Sequence, residues 1–200
     1  MFPGQIATGF AGRRQASGTP SLKFSVLFVL SLVGGALGAV LLLATPPGIF
    51  TALVPWLVLF ATVVFAWGSF FRRADASGKH LGANAAGALQ FAISIYGGYF
   101  GGGIGILMLA ALTLSGLALR NAGATKNVLA GVMNASAVVI FIFSHDVAWK
   151  QVAVVAAAAL AGGQLGAYAL NRVNEKVMRI CIILLGVALT IGLFVRYHSA

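Results

Sequence analysis

Long apolar runs, separated by short breaks that hold most of the charges and prolines, make up nearly the whole chain. A helix needs roughly 20 apolar residues to cross a bilayer. Residues 24–44, 49–71, 126–143, 147–170 and 177–197 each come close to that length without an interior carboxylate. The pattern predicts a membrane helix in each. Pro46-Pro47-Gly48 separates the first two, because neither proline can continue a helix. The stretch 85–119 is too long for one ordinary span and bunches its glycines in the middle.

Composition agrees with the pattern. Of 200 residues, 60% are hydrophobic and 8% are charged, whereas a soluble domain carries about a quarter charged residues. The fold class is therefore all-α, a polytopic integral membrane protein whose constant partner is the lipid bilayer. The net charge of +10 raises the question of nucleic acid. That function needs a contiguous basic face on a soluble element. Here the basic residues sit at the ends of apolar runs, where they orient the chain and meet anionic head groups, so no nucleic-acid partner is expected.

Catalytic chemistry lacks its residues. Asp75, Asp146 and Glu175 are the only carboxylates, all at loop positions, so neither paired-carboxylate catalysis nor a buried carboxylate relay can be built. His80, His145 and His198 are dispersed, and Cys181 is the single cysteine, inside an apolar run. No catalytic residue, metal site or cofactor is expected, and the chain is read as a non-enzyme.

The basic residues decide how 85–119 crosses. If it crosses once, the loops divide the thirteen Lys and Arg residues eight against five. If it enters and returns, Arg13, Arg14, Lys23, Arg72, Arg73, Lys79, Arg120, Lys126, Arg172, Lys176 and Arg179 share one side, eleven against two. The positive-inside rule favours the second arrangement, with those loops cytoplasmic. A glycine-bent helical hairpin or re-entrant pair is expected there.

The chain also repeats itself. Leu32-Val33-Gly34-Gly35-Ala36-Leu37-Gly38-Ala39 aligns with Leu160-Ala161-Gly162-Gly163-Gln164-Leu165-Gly166-Ala167 at an offset of 128. Both copies hold a Gly-x-x-x-Gly, which lets helix backbones approach closely. The charges place the two copies in opposite directions, giving an expected pair of inverted repeats. Residues 1–80 would form an incomplete first repeat and 81–200 a complete second one, opened by the glycine-bent hairpin. Met1–Gly12 reads as the tail of a helix that began earlier. A late start codon, missing N-terminal helices, a homo-oligomer or another subunit would each account for this.

The string Gly97-Gly98-Tyr99-Phe100-Gly101-Gly102-Gly103-Ile104-Gly105 carries the most chemical information. It lacks the spacing and the preceding strand of a dinucleotide fingerprint. Each glycine weakens a helix by roughly 0.8–1 kcal/mol relative to alanine, so six in nine residues predict a break. Unwound backbone at membrane depth is tolerated only inside protein or beside a watery cavity. Its free amides, next to a half-helix N-terminus, make an anion site. Close packing of crossing helices is the other reading of the same glycines. Downstream, Lys126 either snorkels to head groups or attracts an anion, and Asn127 and Asn134 lie two helical turns apart. Asn134 is either glue between helices or a ligand, and Gln90 is a weaker case. Trp56, Trp67 and Trp149 suit interfacial anchoring or packing.

Tyr96 to Gly105, then Ala124-Thr125-Lys126-Asn127, Asn134, the Asp146-Val147-Ala148-Trp149 turn and Gly162 to Ala167 together resemble the TauE/SafE family of membrane anion permeases. The resemblance covers 81–200 as a complete second half and 1–80 as the later part of a first. It implies a multi-pass protein of the cell inner or plasma membrane that moves sulfite, sulfoacetate or related organosulfur anions, often outward. The first-half glycine motif of the family is missing.

The expected function is secondary transport of a small, sulfur-containing oxyanion. Gly101, Gly102, Gly103 and Gly105 would supply backbone donors and space, Lys126 the attraction, and Asn127 and Asn134 hydrogen bonds. The alternatives are a non-transporting membrane scaffold or assembly subunit, or an inactive fragment of a transporter.

Overall fold

A computed structural model describes residues 15–70, 80–144, 148–170 and 175–198. The apolar segment Met1–Gly12, the Arg13-Arg14 pair and Asp146 and Val147 of the Asp146-Val147-Ala148-Trp149 turn lie outside the described residues. Within them every regular element is a helix: α1 (Phe24–Ala44), α2 (Pro47–Phe70), α3 (Ala83–Tyr99), α4 (Ile104–Leu114), α5 (Leu119–Ile142), α6 (Trp149–Leu170) and α7 (Glu175–His198). Phe24–Ala44, Pro47–Gly68 and Leu119–Ile142 are long and apolar enough to cross a membrane, and shorter apolar stretches lie at Trp149–Ala159 and Ile180–Val195. Val29, Val63 and Leu184 are 55%, 55% and 62% exposed. Apolar side chains bared along whole helices are at home against lipid tails.

The proline break forms as expected. Thr45 ends α1 in an extended conformation and Pro47 opens α2, the position where a missing amide costs nothing. Pro55 lies buried inside α2 without ending it.

Helices α1 and α3 make the most intimate contact, and glycine is the reason. A Cβ on Gly34 would stand 2.6 Å from Ser94 Cβ, and one on Gly38 would stand 2.7 Å from the Tyr99 amide nitrogen. Gly98 faces the Gly35 backbone, with Gly35 Cα 2.9 Å from its would-be Cβ. The partners advance together along both helices, so α1 and α3 run parallel. Helix α5 completes this core, its Met133 filling the space beside Gly35 and Gly97. Leu27, Met108, Leu112, Leu129 and Met133 are almost fully buried.

A polar cluster sits in the same contact. The Gln90 side-chain nitrogen donates to Ser31 Oγ at 2.9 Å and Ser94 Oγ at 3.4 Å. The two hydroxyls in turn donate to the Leu27 and Gln90 carbonyls, each at 2.8 Å. All three side chains are at most 1% exposed. At membrane depth these bonds give each serine hydroxyl a partner inside the protein.

Segment 81–114 does enter and return. The Leu81 amide, just before α3, donates to the Leu114 carbonyl at the end of α4, 3.1 Å away. Both ends of the hairpin therefore lie at one end of the bundle. Residues 15–22 strap across this end. The Ser17 amide donates to Thr125 Oγ1 at 3.0 Å, and that hydroxyl donates back to the Ser17 carbonyl at 3.1 Å. Ser21 Oγ donates to the Leu81 carbonyl at 3.2 Å.

One expected boundary is corrected. Helix α5 starts at Leu119, not 126, so Lys126 stands about two turns inside the helix, not at its mouth. Ala122, Ala124 and Thr125 are buried in protein, and small residues of good or fair helix propensity extend the helix below the apolar run. Moving Lys126 out of the loops leaves the charge asymmetry with the same sign.

Candidate functional site

The site begins where α3 stops. The Tyr96 carbonyl accepts from the amides of Phe100 (2.9 Å) and Gly101 (3.3 Å), and Gly101 turns the chain at φ 78°. Gly103 then opens α4 at φ 73°, and its carbonyl accepts from Ile106 at 3.1 Å and Leu107 at 3.3 Å. Both positive φ values lie in the left-handed region, which a residue with a Cβ enters only with strain. Two such turns, at Gly101 and Gly103, fold the half-helices into a hairpin.

This geometry leaves amides free. Among the described residues, no carbonyl accepts from the amides of Gly102, Gly103, Ile104 or Gly105. They cluster at the positive end of the α4 dipole. The break packs on α2: a Cβ on Gly103 would stand 3.5 Å from Ala61 Cβ. Gly102 lies against the Phe100 ring, where its own Cβ would come within 2.6 Å of Phe100 Cε1.

Lys126 reaches the break from α5. A Cβ on Gly105 would lie 3.9 Å from Lys126 Nζ, so the ammonium stands beside the first turn of α4. The side chain is half-buried, and it makes no hydrogen bond or ion pair among the described residues. A cation so placed is costly without a partner, and an anion at the free amides would supply one. Amides, a helix dipole and an ammonium can together hold a small oxyanion by charge-assisted hydrogen bonds.

The structure thus gathers Gly101, Gly102, Gly103, Gly105 and Lys126. Asn127 is half-buried and makes no hydrogen bond among the described residues. Asn134 donates to the Ala130 carbonyl of its own helix at 2.8 Å. Two residues of the quoted motifs were given no role of their own in the sequence reading. Thr125, fully buried, ties the strap beside Lys126, and a threonine within a helix gives no sign of a partner 108 positions away. The Tyr96 hydroxyl is buried without a hydrogen-bond partner among the described residues.

Membrane-length helices packed around a glycine-broken re-entrant hairpin define a polytopic helical membrane protein, of the kind that places broken helices at membrane depth. The model of the sulfite exporter TauE/SafE family matches residues 1–193, and the chain belongs to that family. It is 27% identical over 183 residues to a probable membrane transporter protein of Haemophilus influenzae, covering 89% of this chain and 69% of that protein. It is also 27% identical over 167 residues to the probable membrane transporter protein ORF9 of a Sinorhizobium species, covering 82% of this chain and 64% of that one. The chain spans about two thirds of the length of these curated relatives. No solved structure matches it.

Proposed function

We propose that the protein carries a small oxyanion of the sulfite or organosulfonate class across the cell inner membrane. The observation that supports this most is the Lys126 ammonium beside Gly105, at a break whose amides no carbonyl takes among the described residues. The family's description as sulfite exporters and the relatives' description as membrane transporters point the same way. In this reading the anion rests at Gly101, Gly102, Gly103 and Gly105, drawn by Lys126, with Asn127 and Asn134 lining its path along α5. Inverted repeats, 1–80 and 81–200, belong to the proposal. Their support is the return of the hairpin to its starting end, which would set α1 and α6, the carriers of the two Gly-x-x-x-Gly copies, in opposite directions if α5 and α6 each cross once.

A scaffold would use its glycines for packing alone. Gly34, Gly38 and Gly98 suit that reading. Gly103 and Gly105 do not, because each leaves room for a Cβ at ordinary contact distance. Proteoliposomes loaded with labelled sulfite provide the test. Saturable flux, lost in Lys126→Gln, is the expected result; flux equal to that of protein-free vesicles refutes transport.

A further inference from the structure

We infer that Tyr96 is an additional anion-binding residue, its hydroxyl donating a hydrogen bond to the oxyanion at the glycine break. The inference rests on the proposed function above. The Tyr96 hydroxyl oxygen is buried and has no hydrogen-bond partner among the described residues. Tyrosine at depth ordinarily finds a partner for that group. Tyr99, one turn on, does so by donating to Thr45 Oγ1 at 3.4 Å.

The rings that hold Tyr96 are the ones that border the break. Its ring meets Phe60 edge-on, with centroids 5.4 Å apart, and leans on Phe100 at 6.1 Å. Phe60 precedes Ala61, the residue against Gly103, and Phe100 is the ring against Gly102. Tyr96 also packs against the core cluster that contains Ile104, the first residue of α4. The Tyr96 ring therefore stands among the side chains that join α2 to the glycine break.

Polarity selects this residue over the other buried orphan. The Gln90 side-chain oxygen also lacks a partner, but it is an acceptor and would repel an anion. A phenol hydroxyl can donate. With the α4 amides and the Lys126 ammonium it offers donors from three elements, α3, α4 and α5. Such a set suits a head group with three acceptor oxygens, as sulfite and sulfonates possess.

Tyr96→Phe removes one oxygen and keeps the ring. In the purified chain, sulfite affinity should fall at least about tenfold, the effect of losing one charge-assisted hydrogen bond. The thermal midpoint without ligand should hold or rise, because an unpaired buried polar atom has gone. A structural hydrogen bond would move both quantities downward, and that result overturns the inference. So does wild-type affinity in the variant. If the wild-type chain binds neither sulfite nor sulfoacetate, the carrier reading falls and takes Tyr96 with it. Should the variant fail to fold, wild-type protein carrying fluorotyrosine gives a second reading by fluorine NMR. Sulfite should shift one resonance that Tyr99→Phe retains, and no shift on saturation counts against the proposal.

Discussion

Two glycine-rich regions lie within one helix of each other and do opposite things. At the α1–α3 crossing, Gly34, Gly38 and Gly98 have neighbouring atoms where a methyl would go, backbone for Gly38 and Gly98 and the Ser94 Cβ for Gly34. At the α3–α4 break, Gly103 and Gly105 have room for one. The first set is small because helices touch. In the second, Gly101 and Gly103 are glycine because the backbone must enter left-handed φ, and the resulting turn frees amides. The same residue type thus closes one interface and opens another, and the open one stands beside a cation that has no partner among the described residues.

Alanine substitutions sharpen that contrast. Gly98→Ala should do the most damage, since its methyl would strike the Gly35 backbone. Overpacking of this kind costs about 1–3 kcal/mol, and rigid backbone puts it at the upper end or beyond. Unfolding in mixed detergent should show the loss, and an unchanged midpoint would mean the crossing is looser than described. Gly103→Ala should cost about 1–2 kcal/mol through its left-handed φ, with little steric contribution. Thr125→Val deletes both hydrogen bonds to Ser17 and should cost about 1–2 kcal/mol. Limited proteolysis near residue 17 should then speed up, while Thr125→Ser holds the strap. Gly105→Ala comes last. Its methyl fits at 3.9 Å from Lys126 Nζ, so stability should stay or gain up to about 1 kcal/mol from helix propensity. Sulfite binding should nonetheless weaken, because the methyl stands between ammonium and amides.

Much of the fold was legible in the sequence. Apolar length marked the spans, and the distribution of Lys and Arg predicted that 85–119 returns, as the Leu81–Leu114 hydrogen bond shows. The start of α5 was not legible, because Ala122-Gly123-Ala124 is too weakly apolar to extend a membrane pattern, although small residues pack well against protein. The glycine string predicted a break, but the letters could not tell packing glycines from turning ones. That distinction lies in φ and in what stands opposite each Cα. Gln90 read as a weak site candidate, and its two serine partners became visible only when α1 and α3 were placed together. Tyr96 and Thr125 stood in the motifs without a role for a similar reason, since neither the burial of one nor the distant partner of the other leaves a local trace.

The central claim is that the break, with Lys126 beside it, holds the anion. It is tested most directly by measuring sulfite binding to purified Lys126→Gln beside the wild type, with the thermal midpoint of each recorded. The account predicts affinity lower by at least about tenfold and a midpoint that holds or rises, because a half-buried charge without a partner among the described residues is removed. Wild-type affinity in Lys126→Gln would contradict it.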